Sequence, residues 1–228
     1  MNNNILFRIA PFALFMAFVG LEELLRFLSG RGLISLQPWF FHGLYPVKAL
    51  SVALLLLIFR RRYDEISFKE LRTPSVALAA LAVGIGVFAF WIRLDFPWAT
   101  IGNPAGFDPT IIHDQVSRFF ITALRLLGAA VVVPVMEEIF WRSFLIRYII
   151  SPDFTKVPIG MFTWPSFFFT TLFFGLEHNL FFAGILAGIV YNLLLYRTRS
   201  LSSCIAAHAV TNLLLGVYVL NTAQWRFW

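Results

Sequence analysis

The sequence predicts an all-α fold, a polytopic membrane bundle of about eight transmembrane helices, on three observations. First, 59% of the 228 residues are hydrophobic and only 13% are charged, against about a quarter charged in a soluble domain. Second, the apolar residues form runs near twenty residues long, the length that crosses a bilayer as helix. Third, the formal charge of +6 sits mostly between those runs, as it does in loops that set membrane orientation. At roughly 20 residues per crossing, no sizeable soluble domain fits. The chain therefore reads as one integral membrane domain, 1–228, with a motif-free part (1–117) and a part that carries polar motifs (118–220).

In order, the first helix covers about Arg8 to Leu28. Its apolar run ends in Glu22-Glu23-Leu24-Leu25-Arg26 and has no small-residue cleavage site, so it is a retained helix and not a signal peptide. Gly30-Arg31-Gly32 breaks it, and Gln37-Pro38-Trp39-Phe40-Phe41-His42-Gly43 reads as an aromatic interfacial connector. The second helix, Tyr45 to Phe59, stops at Arg60-Arg61-Arg62, and Lys69 and Arg72 follow before Pro74. The third is Ser75 to Ile92. The segment Arg93 to Ser117, with Pro97, Gly102-Asn103-Pro104 and Asp108-Pro109, is the longest irregular connection. Arg118 to Val133 predicts a fourth helix that Pro134 stops or kinks. A fifth carries Glu137 and reaches Ile150, followed by a sixth (Trp164 to Glu177), a seventh (Leu180 to Tyr196, with Gly184 and Gly188 as a small contact face) and an eighth (Leu201 to Leu220).

Placing the basic loop Arg60–Arg72 in the cytoplasm puts both termini of an eight-helix chain there, in an inner or plasma membrane. Glu137 then starts its helix on the cytoplasmic side. Arg197 and Arg199 are left on the opposite side, against the rule. The modest charge points to orientation, not to nucleic acid, and the lone Cys204 has no intrachain partner and cannot build a thiolate metal site. No Gly-rich phosphate loop follows a strand.

Ionisable groups at membrane depth are costly and survive mainly when paired or when they line a functional cavity. Glu138 and Arg142 stand at i and i+4 with the acid nearer the N-terminus, the favourable order for an ion pair. Glu137 lies about 100° round the helix from Glu138 and has no such mate, so its partner must come from another helix. His178, at the end of the sixth expected helix, is one candidate. His208 and Asn212, at i and i+4 on the eighth, are the others. Each alone reads equally well as interhelical glue. Glu177 is expected to face the interface as a solvated group, and Glu22 and Glu23 to lie on the face opposite Glu137. His42 and His113 fall in loops without a motif.

Together, Glu137-Glu138-x-x-x-Arg142, Phe174-x-x-x-His178 and His208-x-x-x-Asn212 resemble the CAAX prenyl endopeptidase (CPBP) family of intramembrane proteases related to the Ras-converting enzyme. The resemblance covers about Arg118 to Leu220 and implies a bundle of eight membrane helices. It implies that Glu137 and His178 activate water and that His208 and Asn212 stabilise the oxyanion. Glu138, Arg142 and Phe174 support the site, Phe174 as a packing wall. The expected substrate is a membrane-associated or lipidated peptide. Without a His-Glu-x-x-His pair, and with asparagine a poor zinc ligand, a metal-free route is favoured; a zinc variant would use Glu137, His178 and His208. The competing class is a non-enzymatic membrane protein: an ion-coupled transporter with Glu137 as its cation site, or an immunity- or chaperone-type member of the family.

Overall fold

A computed structural model describes residues 3–102 and 106–228. Met1 and Asn2 of the polar start, and Asn103, Pro104 and Ala105 of the long connection, lie outside the described residues. The described residues form seven helices and no strand: α1 (Asn3–Gly30), α2 (Pro38–Phe59), α3 (Pro74–Trp91), α4 (Gln115–Ile150), α5 (Trp164–Leu176), α6 (Phe181–Thr198) and α7 (Leu201–Thr222). Six are long and apolar enough to cross a membrane, and α5 is shorter. Their outward faces carry large apolar side chains such as Leu54, Leu78, Phe119 and Phe168, the surface a bilayer covers. The protein is an integral membrane protein.

The starts follow local chemistry. Asp114, Thr163 and Ser200 cap α4, α5 and α7 by accepting from the backbone N–H three residues on, which satisfies donors that the first turn leaves over. The aromatic stretch expected as a connector belongs to α2, which begins at Pro38; proline suits the first turn of a helix. Small residues set the close approaches. A Cβ on Gly84 of α3 would stand 2.6 Å from the Ala207 carbonyl of α7, and one on Gly184 of α6 would stand 3.0 Å from Gly175 of α5. The expected Gly184/Gly188 face is indeed where α6 meets α5.

The main departure is at Pro134. The expected fourth and fifth helices are one 36-residue helix, α4. Two wide π-type turns, Gly128–Val132 and Ile139–Leu145, interrupt its α geometry without ending it. In the first turn the Val133 N–H reaches back to the Gly128 carbonyl. That deprives the Ala129 carbonyl of its α-helical donor, and its donor in the wider register is residue 134, a proline with no N–H. Asn212 of α7 supplies the missing donor: its Nδ2 lies 2.8 Å from the Ala129 oxygen. Irregular backbone at membrane depth is tolerated where protein re-satisfies it, so the helix runs on.

Merging two expected helices reverses the ends of everything after it. Arg8 near Asn3 contacts the Arg62 carbonyl and Glu65, while Arg226 pairs with Asp95 and Trp228 packs on Phe107. These two sets of partners flank opposite ends of α3, so residues 3 and 228 lie at opposite ends of the bundle. The expectation of both termini in the cytoplasm is thereby corrected. Arg197 and Arg199 now share the end that holds Arg60–Arg72, which removes the earlier conflict.

That basic end is tied by one carboxylate. Glu65 accepts two hydrogen bonds from Arg8, at 2.8 and 2.7 Å, stands 3.6 Å from Arg147, and receives the Ser143 hydroxyl. Burial by itself would raise its pKa, but the hydrogen bonds and charge of Arg8, with Ser143, hold it below the usual carboxylate range. A carboxyl whose folded pKa lies below its unfolded value of about 4.3 adds stability that is complete above that value and lost as pH falls through the folded pKa. The thermal midpoint of purified protein in detergent should therefore fall as pH drops below about 4. Glu65→Gln should cost about 3 kcal/mol at neutral pH by stranding buried guanidinium groups, and should flatten that acid limb.

Candidate active site

Four of the residues singled out from the sequence, Glu137, His178, His208 and Asn212, line a single cavity of about 270 Å³ between α4, α5, α6 and α7. Its anchor is Glu138, which is fully buried. Arg142 Nη1 donates to its Oε1 at 3.1 Å, the in-helix pair that the spacing predicts. The same oxygen lies 2.9 Å from His208 Nδ1, so Nδ1 carries the proton and donates. Arg142 also donates through Nε to Asn192 Oδ1 of α6 at 3.2 Å, and Asn192 donates to Thr170 and Thr171 of α5 at 3.1 Å each. One buried polar chain therefore links four helices, and the Phe174 ring, 4.2 Å from Arg142 Cζ, closes it.

His208 is also held flat. Its ring stacks on Tyr191 at 5.1 Å and 25°, and the Tyr191 hydroxyl donates to Thr211 at 2.8 Å. With Nδ1 committed to Glu138, Nε2 faces Glu137, 3.9 Å from Oε2. That Oε2 is buried and has no hydrogen-bond partner among the described residues. Glu137 is thus the acid without an in-helix mate, and its free oxygen faces the cavity.

His178 follows α5. Its Nδ1–H donates to the Phe174 carbonyl at 2.7 Å, which leaves Nε2 as an acceptor. Ring contacts with Phe174 (5.0 Å) and Trp91 (5.3 Å) fix its plane. Glu137, Glu177 and His178 each offer one ligand atom, all within 4.8 Å of one another, close enough for one water to bridge them. Asn212 spends one amide hydrogen on the Ala129 carbonyl and keeps a second.

Two assignments change. Glu177, expected as a solvated interfacial group, has a side chain only 11% exposed and accepts from Trp141 Nε1 at 3.1 Å. Its neighbour in sequence, His178, gave no hint of that partner on α4. Glu22 and Glu23, expected on the opposite face, line a vestibule of about 660 Å³ with Glu177, His178 and Asn179. Arg125, His178 and Trp228 border both the vestibule and the inner cavity. The inner cavity therefore adjoins a vestibule at the end opposite Arg60–Arg72, not at the end expected. The cause is again the unbroken α4.

All seven motif residues sit in one segment of the chain. Residues 119–214 match the Rce1-like family, the type II CAAX prenyl endopeptidases. This is the family that the three motifs resemble, and the Rce1-like segment holds every polar group of the inner cavity named above. No curated protein and no solved structure matches the chain.

Asn212 thus faces two demands, the Ala129 carbonyl and the cavity. Asn212→Ala should destabilise the protein by about 1–3 kcal/mol by orphaning that buried carbonyl. Pro134→Ala restores an N–H in the same turn, so denaturation of the single and double variants should show favourable coupling of at least about 0.5 kcal/mol.

Proposed function

We propose that the protein is an intramembrane endopeptidase of the CAAX prenyl protease type, in which Glu137 and His178 activate a water molecule. The observation that carries this is the buried, unpartnered Glu137 oxygen beside His178 inside a cavity walled by membrane helices. Glu137 takes a proton from water as the oxygen attacks the peptide carbonyl, and His178, positioned by the Phe174 carbonyl, holds the water and relays the proton to the leaving amine. The developing oxyanion faces the His208 ring and the second amide hydrogen of Asn212. Both side chains are held in place before reaction, His208 by Glu138 and Tyr191 and Asn212 by the Ala129 carbonyl, so they meet the charge without reorganising. Glu138 and Arg142 are positioning residues, and Phe174 is a wall. The substrate is a membrane-associated peptide, with lipid modification matching the family's prenyl chemistry.

Glu137→Gln should fold normally and lower kcat by about 10²–10⁴, and His208→Ala by about 10²–10³, with a quenched peptide in detergent or nanodiscs as the assay. A Glu137→Gln protein that still cleaves at the wild-type rate would rule the proposal out. Chelator should leave activity intact. Loss restored by zinc would instead assign a metal to Glu137, Glu177 and His178, the three side chains close enough to share an ion. That set replaces the expected His208 with Glu177.

The basic end, with Arg60, Arg61, Arg62, Lys69, Arg72, Lys156, Arg197 and Arg199, faces the cytoplasm in this reading, and the vestibule opens on the other side. In intact cells a membrane-impermeant maleimide should label Leu33→Cys and should label Phe68→Cys only after permeabilisation. Both positions are exposed, and the native Cys204 is fully buried. The reverse pattern would invert the orientation.

A further inference from the structure

Three side chains that accept hydrogen bonds face one point, and hydrogens are scarce there. Glu137, Glu177 and His178 each place one ligand atom within 4.8 Å of the others, so some point lies within about 2.8 Å of all three, the hydrogen-bond distance of a water oxygen. The His178 ring has given its N–H to the Phe174 carbonyl at 2.7 Å. Glu137 Oε2 is buried and receives no hydrogen bond among the described residues. Glu177 accepts from Trp141 Nε1 at 3.1 Å, which ties it to α4 and leaves its other lone pairs free. Arg142, the cation of the inner network, is committed to Glu138 and Asn192. The cavity walls divide the trio: Glu137 borders the inner cavity, Glu177 the vestibule, and His178 both.

A water at that point brings two hydrogens to three acceptors. The two carboxyls are close together, and among the described residues no guanidinium or ammonium is bonded to either. Such a pair does not ionise twice; one member keeps a proton. That proton is the missing third hydrogen. We propose that Glu177 carries it, as a neutral acid whose O–H donates to the water that Glu137 activates, and is thereby a further catalytic residue. This rests on the endopeptidase reading. The water gives one hydrogen to Glu137 and the other to His178, accepts one from Glu177, and keeps one lone pair for the peptide carbonyl. All four of its directions are then assigned, so the attacking lone pair is aimed before the substrate arrives. On attack the water oxygen bonds the carbonyl carbon, the O–H bond facing Glu137 breaks, and that proton passes to Glu137. Glu177 keeps its own. Position decides which acid does which. Glu137 opens on the inner cavity beside His208 and Asn212, where the carbonyl must lie, whereas Glu177 borders the vestibule and is held back by Trp141.

The test compares full-length wild type with Glu177→Ala and Glu177→Gln. Glutamine keeps an N–H donor where the acid has its O–H, and alanine has none. With a quenched peptide in nanodiscs, Glu177→Ala should lower kcat by about 10²-fold while KM stays within about twofold. Glu177→Gln should recover at least about tenfold of that loss, because a donor is restored. In ester-free detergent at neutral pH, the infrared spectrum of wild type should contain a protonated-carboxyl stretch that the Glu177→Gln spectrum lacks. A Glu177→Ala protein with the wild-type kcat overturns the proposal. So does a Glu177→Gln protein as slow as Glu177→Ala, which would make the charge of Glu177 the required feature. Equal carboxyl bands in wild type and Glu177→Gln overturn it as well. Should Glu177→Ala fail to fold, Glu177→Gln decides against wild type: a loss within about tenfold supports the proposal, and one of about 10²-fold overturns it. If wild type cleaves no peptide, the endopeptidase reading is what fails, and the infrared difference alone then judges whether Glu177 holds the proton.

Discussion

The buried carboxylate of Glu138 is the constraint on which the rest of the structure depends. It has no exposed surface and serves two partners through one oxygen, Arg142 and His208. Removing either partner leaves an uncompensated charge or donor in a medium that cannot hydrate it. The pair by itself would contribute little, since ion pairs inside proteins roughly break even against their desolvation. What it contributes is position. Arg142 extends the connection through Asn192 to Thr170 and Thr171, so α4, α5, α6 and α7 cannot shift independently. Because Nδ1 of His208 is taken, Nε2 is the atom that meets Glu137. Two adjacent glutamates thereby acquire different settings, one held in the network and one with an oxygen left open to the cavity.

A second constraint is covalent. Pro134 has no N–H, and the wide turn before it leaves the Ala129 carbonyl without a donor inside its own helix. In water that carbonyl would bond solvent; at membrane depth it needs protein. Asn212, one turn beyond His208 on α7, fills that need. The side chain that caps the defect also lines the inner cavity, so the backbone irregularity and the cavity are built together.

Much of this was legible in the sequence, because membrane chains write their class in apolar runs and their sites in rare polar residues. The Glu138–Arg142 spacing, the mate-less Glu137 and the small face at Gly184 and Gly188 all follow from helical periodicity, and the structure places them accordingly. The four cavity residues could be gathered because each interrupts an apolar helix. What could not be read was remote compensation. Pro134 reads as a helix stop unless Asn212, 83 residues from Ala129, is known to replace the lost donor. That one miss changed the helix count, the side on which the chain ends, and the face on which Glu22 and Glu23 were placed. Glu177 was misplaced for a related reason: its partner Trp141 lies 36 residues away on another helix, and adjacency to a loop suggested water instead. Local rules fail where a tertiary partner pays the cost.

The charges left over are arranged along one direction. Among the described residues, Glu137 at the deep end is an acid without an Arg or Lys partner, and Lys48 and Arg125 toward the vestibule are cations without an ion-paired acid. Opposite signs therefore stand in two adjoining cavities that share Arg125, His178 and Trp228 in their walls. In such a low-dielectric setting a charge acts over a longer reach than in water, so the field along the bundle axis is set by these few groups. One helix, α4, carries an end of each sign, with Arg125 and Glu137 twelve residues apart.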